Sequence, residues 1–203
     1  MAPMRTALRP ALRSLALVLF VLIAACGRDA AKFQATDVSG TTYGRDFQLV
    51  DHTGKPRTLA DFRGKVVVVF FGYTQCPDVC PTTLAELAEV VKRLGGDAAR
   101  VQVLFVTVDP DRDTRELLSQ YVPAFNPSFL GLYGDADATA RTAKEFRIFY
   151  QKQPGKTPDS YTMDHSAGTF VYDPQGRLRL YVSYGQPPEV FEHDIRELLR
   201  TSS

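Results

Sequence analysis

Two stretches of the chain are apolar at almost every position. Lys65 to Phe71 reads KVVVVFF, and Val101 to Val108 reads VQVLFVTV. Runs of this length without alternation predict strands buried on both faces. Between them, Leu84, Leu87, Ala88, Val91 and Leu94 recur at helical spacing. Pro81 suits the start of that helix and Gly95-Gly96 its end. Helices are also predicted over Arg112–Tyr121 and Asp137–Phe146. A last one follows Pro187-Pro188, with Val190, Phe191, Ile195, Leu198 and Leu199 on one face. Phe47–Val50 reads as a short strand before a turn at Asp51–Lys55. Strands at Gly168–Tyr172 and Arg177–Tyr184 flank Asp173-Pro174-Gln175-Gly176, which is hairpin punctuation. A hairpin followed by βαβα and then ββα predicts one three-layer α/β domain. This is the thioredoxin-like order, with elements inserted between the two halves. No internal repeat, low-complexity block or second-domain boundary interrupts it.

The first residues follow a different logic. Arg5, Arg9 and Arg13 precede an apolar run from Leu15 to Ala25, with no acidic residue among them. That is the charged and apolar pattern of a secretory signal. The run is shorter than the roughly 20 residues that span a bilayer. Its end, Ile23-Ala24-Ala25-Cys26, is similar to a bacterial lipobox, which implies a signal peptide over 1–25 and lipidation of Cys26. Gly27 follows in place of Asp, so nothing marks inner-membrane retention. Residues 26–42 are small and polar and read as a tether, which leaves 43–203 as the domain. The expectation is a lipoprotein of the bacterial cell envelope, membrane-anchored and facing the periplasm or the outside. The whole chain carries 24 basic and 23 acidic residues, net +1; losing the three leader arginines makes the remainder net −2. That balance argues against a nucleic-acid partner, because phosphate binding wants a basic face.

Three cysteines in 203 residues are too few for a disulfide framework. With Cys26 assigned to lipid, Cys76 and Cys80 remain, in GYTQCPDVCP. They lie between a buried strand and a helix start, the crevice where open α/β sheets place their sites. A helix N-terminus favours thiolate, which is both nucleophile and metal ligand. Cysteines four apart in a helical turn have Cα atoms roughly 6 Å apart. That is inside the range of about 4.4–6.8 Å that a disulfide accepts, and it also lets two sulfurs hold one ion. The spacing therefore allows redox chemistry, metal binding or both. Pro81 also disfavours helical backbone at Cys80, so an irregular first turn is expected.

Three histidines could supply a further ligand. His193 lies opposite the apolar stripe of the last helix and reads as a surface residue. His52 sits in a turn and reads as structural. His165, in YTMDHS ahead of a strand, falls in the loop that faces the cysteine pair in a thioredoxin-like domain. Two thiolates and one imidazole form a soft site suited to Cu(I) and able to hold Cu(II). Zinc usually takes four protein ligands in a structural site. Asp164 stands where it could hydrogen-bond the imidazole from behind or cap its own loop. Met163 reads as packing.

The segments GKVVVVFFGYTQCPDVCPTTL, VTVDPDRDT and DHSAGTFVYDPQGRL resemble the Sco/SenC family of copper-binding proteins, over roughly Tyr43 to Leu199. The resemblance implies a thioredoxin-like fold with Cys76, Cys80 and His165 as copper ligands. It implies delivery of copper, or of reducing equivalents, to the dinuclear copper A site on subunit II of cytochrome c oxidase. A periplasmic copper donor or thiol reductant would be a second partner. Family members are commonly held by a transmembrane helix, from which the lipobox-like Cys26 departs. The rival reading is a thiol–disulfide reductase, with Cys76 attacking and Cys80 resolving. Against it, the chain lacks the Cys-x-x-Cys of thioredoxins and the Trp usually before it. Thr74, two residues before Cys76, fits a thiol peroxidase, but the Pro expected further upstream is missing. A copper or redox sensor is indistinguishable from a delivery protein at this level.

Overall fold

In chain order, the computed structural model contains β1 (Thr36–Asp37), β2 (Leu49–Asp51), β3 (Pro56–Arg57), β4 (Val66–Gly72), α1 (Val79–Arg93) and β5 (Val101–Thr107). There follow α2 (Arg115–Phe125), β6 (Leu130–Tyr133), α3 (Ala136–Phe146), β7 (Tyr150–Pro154) and β8 (Tyr161–His165). β9 (Thr169–Tyr172), β10 (Leu178–Val182) and α4 (Pro188–Thr201) complete the chain. The structure describes residues 31–157 and 160–201, so the expected signal peptide and Cys26 lie outside the described residues. Among the described residues, no helix is long and apolar enough to cross a membrane.

The two apolar runs form the centre of an eight-stranded sheet of order β1-β10-β9-β4-β5-β6-β2-β3. β4 and β5 pair in parallel from Val66↔Val101 to Gly72↔Thr107, and every residue of both is buried. Their lack of alternation follows from cover on both faces. On one face Phe70 meets Phe105, and Phe105 meets Tyr121 of α2, at centroid distances of 6.1 and 5.9 Å. On the other, Phe71 meets Phe146 of α3 at 5.0 Å, and Phe146 meets Phe170 at 5.5 Å. α1 buries Thr83, Leu84, Leu87, Val90 and Val91 at helical spacing and packs beside α4. The result is the expected α/β, thioredoxin-like arrangement of helix, sheet and helix.

Several features differ from the sequence-based expectation. α2 starts at Arg115, three residues late, because Asp109 and Asp113 are buried carboxylates in the turn before it and Thr114 caps the helix by accepting from Leu117 N. The hairpin β7–β8 has no counterpart in the sequence pattern. Its residues are mostly exposed or half-buried, and YQKQP carries no apolar period. Part of the expected tether is built into the domain. Thr36 and Asp37 pair with Tyr181 and Leu180, and the backbone N–H groups of Gln34 and Ala35 donate to the buried Asp194 carboxylate. Backbone pairing of a polar segment leaves no hydrophobic signature.

The β2–β3 turn is organised by Asp51, which is fully buried. Its carboxylate accepts from Thr53 N and Oγ1 at 2.8 and 2.6 Å, from Lys55 N at 3.1 Å and from Arg57 Nε at 2.7 Å. Burial alone would raise its pKa, but these donors outweigh burial and hold it at about 2, against an ordinary 3.8. Its stabilising contribution is therefore complete above the ordinary value and lost as pH falls through about 2. The shift corresponds to roughly 2 kcal/mol. Urea unfolding followed from about pH 5 to pH 2 should show this loss in the wild-type protein. Asp51→Asn should be less stable at the upper end and change less across the window.

Candidate metal centre

The thiol loop leaves the sheet where β4 ends. Thr74 N and Thr74 Oγ1 donate to Asp113, whose carboxylate also accepts from Thr107 Oγ1 at 2.6 Å. Asp113 is 1% exposed, and burial raises its pKa against the lowering effect of these donors. The loop is thus tied to the end of β5 two residues before Cys76. The chain then enters α1 at Val79, so Cys80 is helical and no irregular turn separates it from Pro81. Pro81 is the third residue of α1, where a backbone N–H has no partner within the helix. Its missing donor costs nothing there.

Cys76 and Cys80 are both free thiols, the first half-buried and the second fully buried. The Cys80 sulfur lies against the β4 backbone. A Cβ on Gly72 would stand 2.7 Å from that sulfur and 2.8 Å from Phe105 Cε2. Burial pushes the Cys80 thiol well above the ordinary range, and the Cys76 sulfur beside it adds to this. A hydrogen bond from the Tyr73 backbone opposes the shift.

His165 is the last residue of β8 rather than part of a loop. Its Nε2 lies 3.6 Å from Cys80 Sγ, and its Nδ1 lies 3.0 Å from the Ser166 carbonyl oxygen. A carbonyl can only accept, so Nδ1 carries the proton and the Nε2 lone pair faces the sulfurs. Tyr73 and Phe70 pack edge-on against the ring at 5.8 and 6.5 Å. Burial lowers the imidazole pKa more than the Ser166 bond and the Asp164 charge raise it, which favours the neutral, ligating form. The support expected from Asp164 is supplied by Ser166. The Asp164 side chain instead accepts from Gln153 Nε2 at 2.9 Å, on the outer side of the hairpin. Adjacent residues of a strand point to opposite faces, so Asp164 cannot reach behind the ring.

Cys76 Sγ, Cys80 Sγ and one nitrogen of His165 all lie within 4.8 Å of one another. Metal–sulfur and metal–nitrogen bonds of about 2.3 and 2.0 Å would put sulfur and nitrogen roughly 3.7 Å apart around a three-coordinate ion. The 3.6 Å between Cys80 and His165 fits that value, and the donors are soft. The other two histidines are elsewhere. His52 Nδ1 accepts from Gly131 N at 3.0 Å and joins β2 to β6. His193 pairs with Asp194 at 2.8 Å. Met163 is buried in the core.

Residues 35–200 match the SCO1/SenC family model. The chain belongs to the SCO1/SenC family. It is 37% identical over 172 residues to the mitochondrial SCO2 homolog of Bos taurus, covering 84% of this chain and 64% of that protein. With the SCO2 homolog of Mus musculus it shares 39% over 153 residues, 74% of this chain and 60% of the relative. The chain thus spans less than two thirds of these relatives' length. Among solved structures, copper-bound ScoI of Bradyrhizobium japonicum is 40% identical with a TM-score of 0.71, covering 78% of this chain and all of that one. Apo Sco1 of Thermus thermophilus is 41% identical with a TM-score of 0.74, over 84% and 99% of the two chains.

Sequence reasoning singled out the three residues that the fold of this SCO1/SenC chain brings together, and missed what supports them. Gly72, Asp113 and the Ser166 carbonyl are a backbone gap, a buried acid and a main-chain atom, none of which leaves a spacing signal. Because Gly72 has no room for a side chain, Gly72→Ala overpacks the seat of Cys80. It should lower stability by about 1–3 kcal/mol. Urea denaturation should show this as a lower midpoint with unchanged slope.

Proposed function

We propose that this protein is a copper-binding metallochaperone that delivers copper to, or matures, the dinuclear copper A site on cytochrome c oxidase subunit II. The observation that carries this reading is the cluster of two thiols and one imidazole drawn from segments 85 residues apart. Family membership and the copper-bound ScoI relative support it. In this reading Cys76, Cys80 and His165 hold one copper ion, as Cu(I) or Cu(II). Three protein donors leave an opening through which a partner's thiolate or imidazole can join before one donor leaves, so transfer proceeds by ligand exchange. Binding must displace the proton that burial keeps on Cys80. The half-buried Cys76 is the sulfur presented to the partner.

A reductase reading is favoured by one feature, the pairing of a partly exposed thiol with a buried one in contact range. The Cys76 thiolate would attack a partner disulfide and form a mixed disulfide. Cys80 would then displace the partner, which leaves with two thiols while Cys76 and Cys80 are joined. His165 has no role in that sequence. In the same proposal a lipid on Cys26 holds the domain in the bacterial cell envelope, where a periplasmic copper donor or thiol reductant would serve it.

The reduced protein should bind one copper. Cys76→Ala, Cys80→Ala and His165→Ala should each weaken binding by more than the roughly 10–100-fold that loss of a supporting hydrogen bond costs. Competition with a chromophoric Cu(I) chelator measures this, and a His165→Ala protein equal to wild type would refute the three-donor site. Mixing copper-loaded protein with a reduced subunit II fragment, and copper-free protein with the oxidised fragment, separates the two activities. Copper transfer favours the chaperone, whereas thiol appearance from copper-free protein, with no metal moved, favours the reductase. Cys26→Ser should move the protein from the membrane to the soluble fraction of expressing cells and abolish its labelling by radioactive palmitate.

A further inference from the structure

The VTVDPDRDT segment runs from β5 toward α2 and supplies none of the three donors, yet its side chains touch both segments that carry them. Arg112 Nε donates to Asp109 Oδ2 at 2.5 Å, and the Asp109 carboxylate is fully buried. The other oxygen of Asp109 accepts from Tyr161 Oη at 2.7 Å. Arg112 Nη1 donates to the Tyr161 carbonyl at 2.9 Å and to Gln75 Oε1 at 3.1 Å. The guanidinium carbon stands 3.5 Å from the Tyr161 ring centroid and 5.7 Å from that of Tyr73. Arg112 Nη2 is buried and has no hydrogen-bond partner among the described residues. Such an orphan costs about 1–3 kcal/mol, so the guanidinium sits there for the groups it does join.

Those groups belong to the two halves of the donor set. Gln75 immediately precedes Cys76. Tyr161 opens β8, and residues 161, 163 and 165 share one face of that strand, so its far end on that face is His165. Tyr73, on the loop, packs edge-on to His165. Among the described residues, β7 and β8 pair only with each other and do not join the eight-stranded sheet. An isolated two-stranded hairpin is marginal by itself, so its position depends on what it touches. The 109–112 turn touches it through Asp109 and Arg112 on Tyr161, and through the exposed ion pair of Asp111 with Lys152. Of these contacts, the guanidinium is the one that also grips the thiol loop.

We propose that Arg112 is a positioning residue of the metal centre, clamping the His165 hairpin to the Cys76 loop so that the imidazole stays at ligating distance from the thiols. The inference rests on the copper reading of the same site. Both thiols lie on one segment, fixed independently by Asp113 and by α1. Loss of the clamp therefore separates imidazole from sulfur without separating sulfur from sulfur. A lysine keeps the charge but lacks the planar fork that serves Asp109, Tyr161 and Gln75 together.

The test uses the full-length chain and copper alone. Wild type and His165→Ala are compared first by chelator competition; if they bind alike, the copper reading fails and the clamp is not the reason. With that difference established, Arg112→Ala and Arg112→Lys should each bind copper at least about tenfold more weakly than wild type. Their Cys76–Cys80 pair should equilibrate with a dithiothreitol buffer as wild type does. Wild-type copper affinity in Arg112→Ala overturns the proposal, as does a shift in the dithiol equilibrium matching the loss of copper binding. If Arg112→Ala does not fold, Arg112→Lys decides by the same two readings, and full rescue of affinity by lysine overturns the clamp.

Discussion

The pairing of Gly72 with Thr107, the last rung of the β4–β5 ladder, is the constraint on which the metal centre depends. One side of that rung has no side chain, and the Cys80 sulfur occupies the space. The other side presents a hydroxyl that donates to Asp113, and Asp113 in turn holds Thr74. A slip of one residue would turn Phe71 toward Cys80, since neighbouring side chains in a strand face opposite ways. The unbroken burial of both strands specifies the register, and the register places the thiols.

The same burial sets the chemistry. Cys80 and the His165 ring are both held neutral by their surroundings, one as a thiol and the other as an imidazole. A neutral imidazole is ready to bind a metal, whereas the thiol must first lose its proton. A soft cation held by Cys76, Cys80 and His165 would take the place of that proton and bring positive charge to the site. Arg112 does not substitute for it, because its guanidinium is turned to Asp109, Tyr161 and Gln75.

Much of this was legible in the residues alone, for identifiable reasons. KVVVVFF and VQVLFVTV announce central strands because covered strands have no polar face. The helix stripes are visible because each helix buries one side. The donors are visible because cysteine and histidine are rare in this chain, with three of each. The β7–β8 hairpin was not legible, since its faces are mainly exposed and its pairing is carried by the backbone. Asp164 was the natural candidate to support His165 by adjacency, but strand alternation turns it outward and leaves the task to a main-chain carbonyl. The start of the folded unit was hidden for a similar reason, because Gln34 and Ala35 are held through their backbone N–H groups.

The donor set is divided between two mechanical units. The thiols belong to the sheet and α1, where large apolar surfaces and a buried acid fix them. The imidazole belongs to a hairpin whose strands, among the described residues, pair only with each other; it is located by the buried Met163 and by polar and aromatic contacts from the 109–112 turn and the thiol loop. Such contacts are individually worth about 0.5–3 kcal/mol, far less than what holds a central strand. The dithiol and the three-donor site are therefore separable properties of one structure. Substitutions around Tyr161 and Arg112 act on the second, and substitutions around Gly72 and Asp113 act on both.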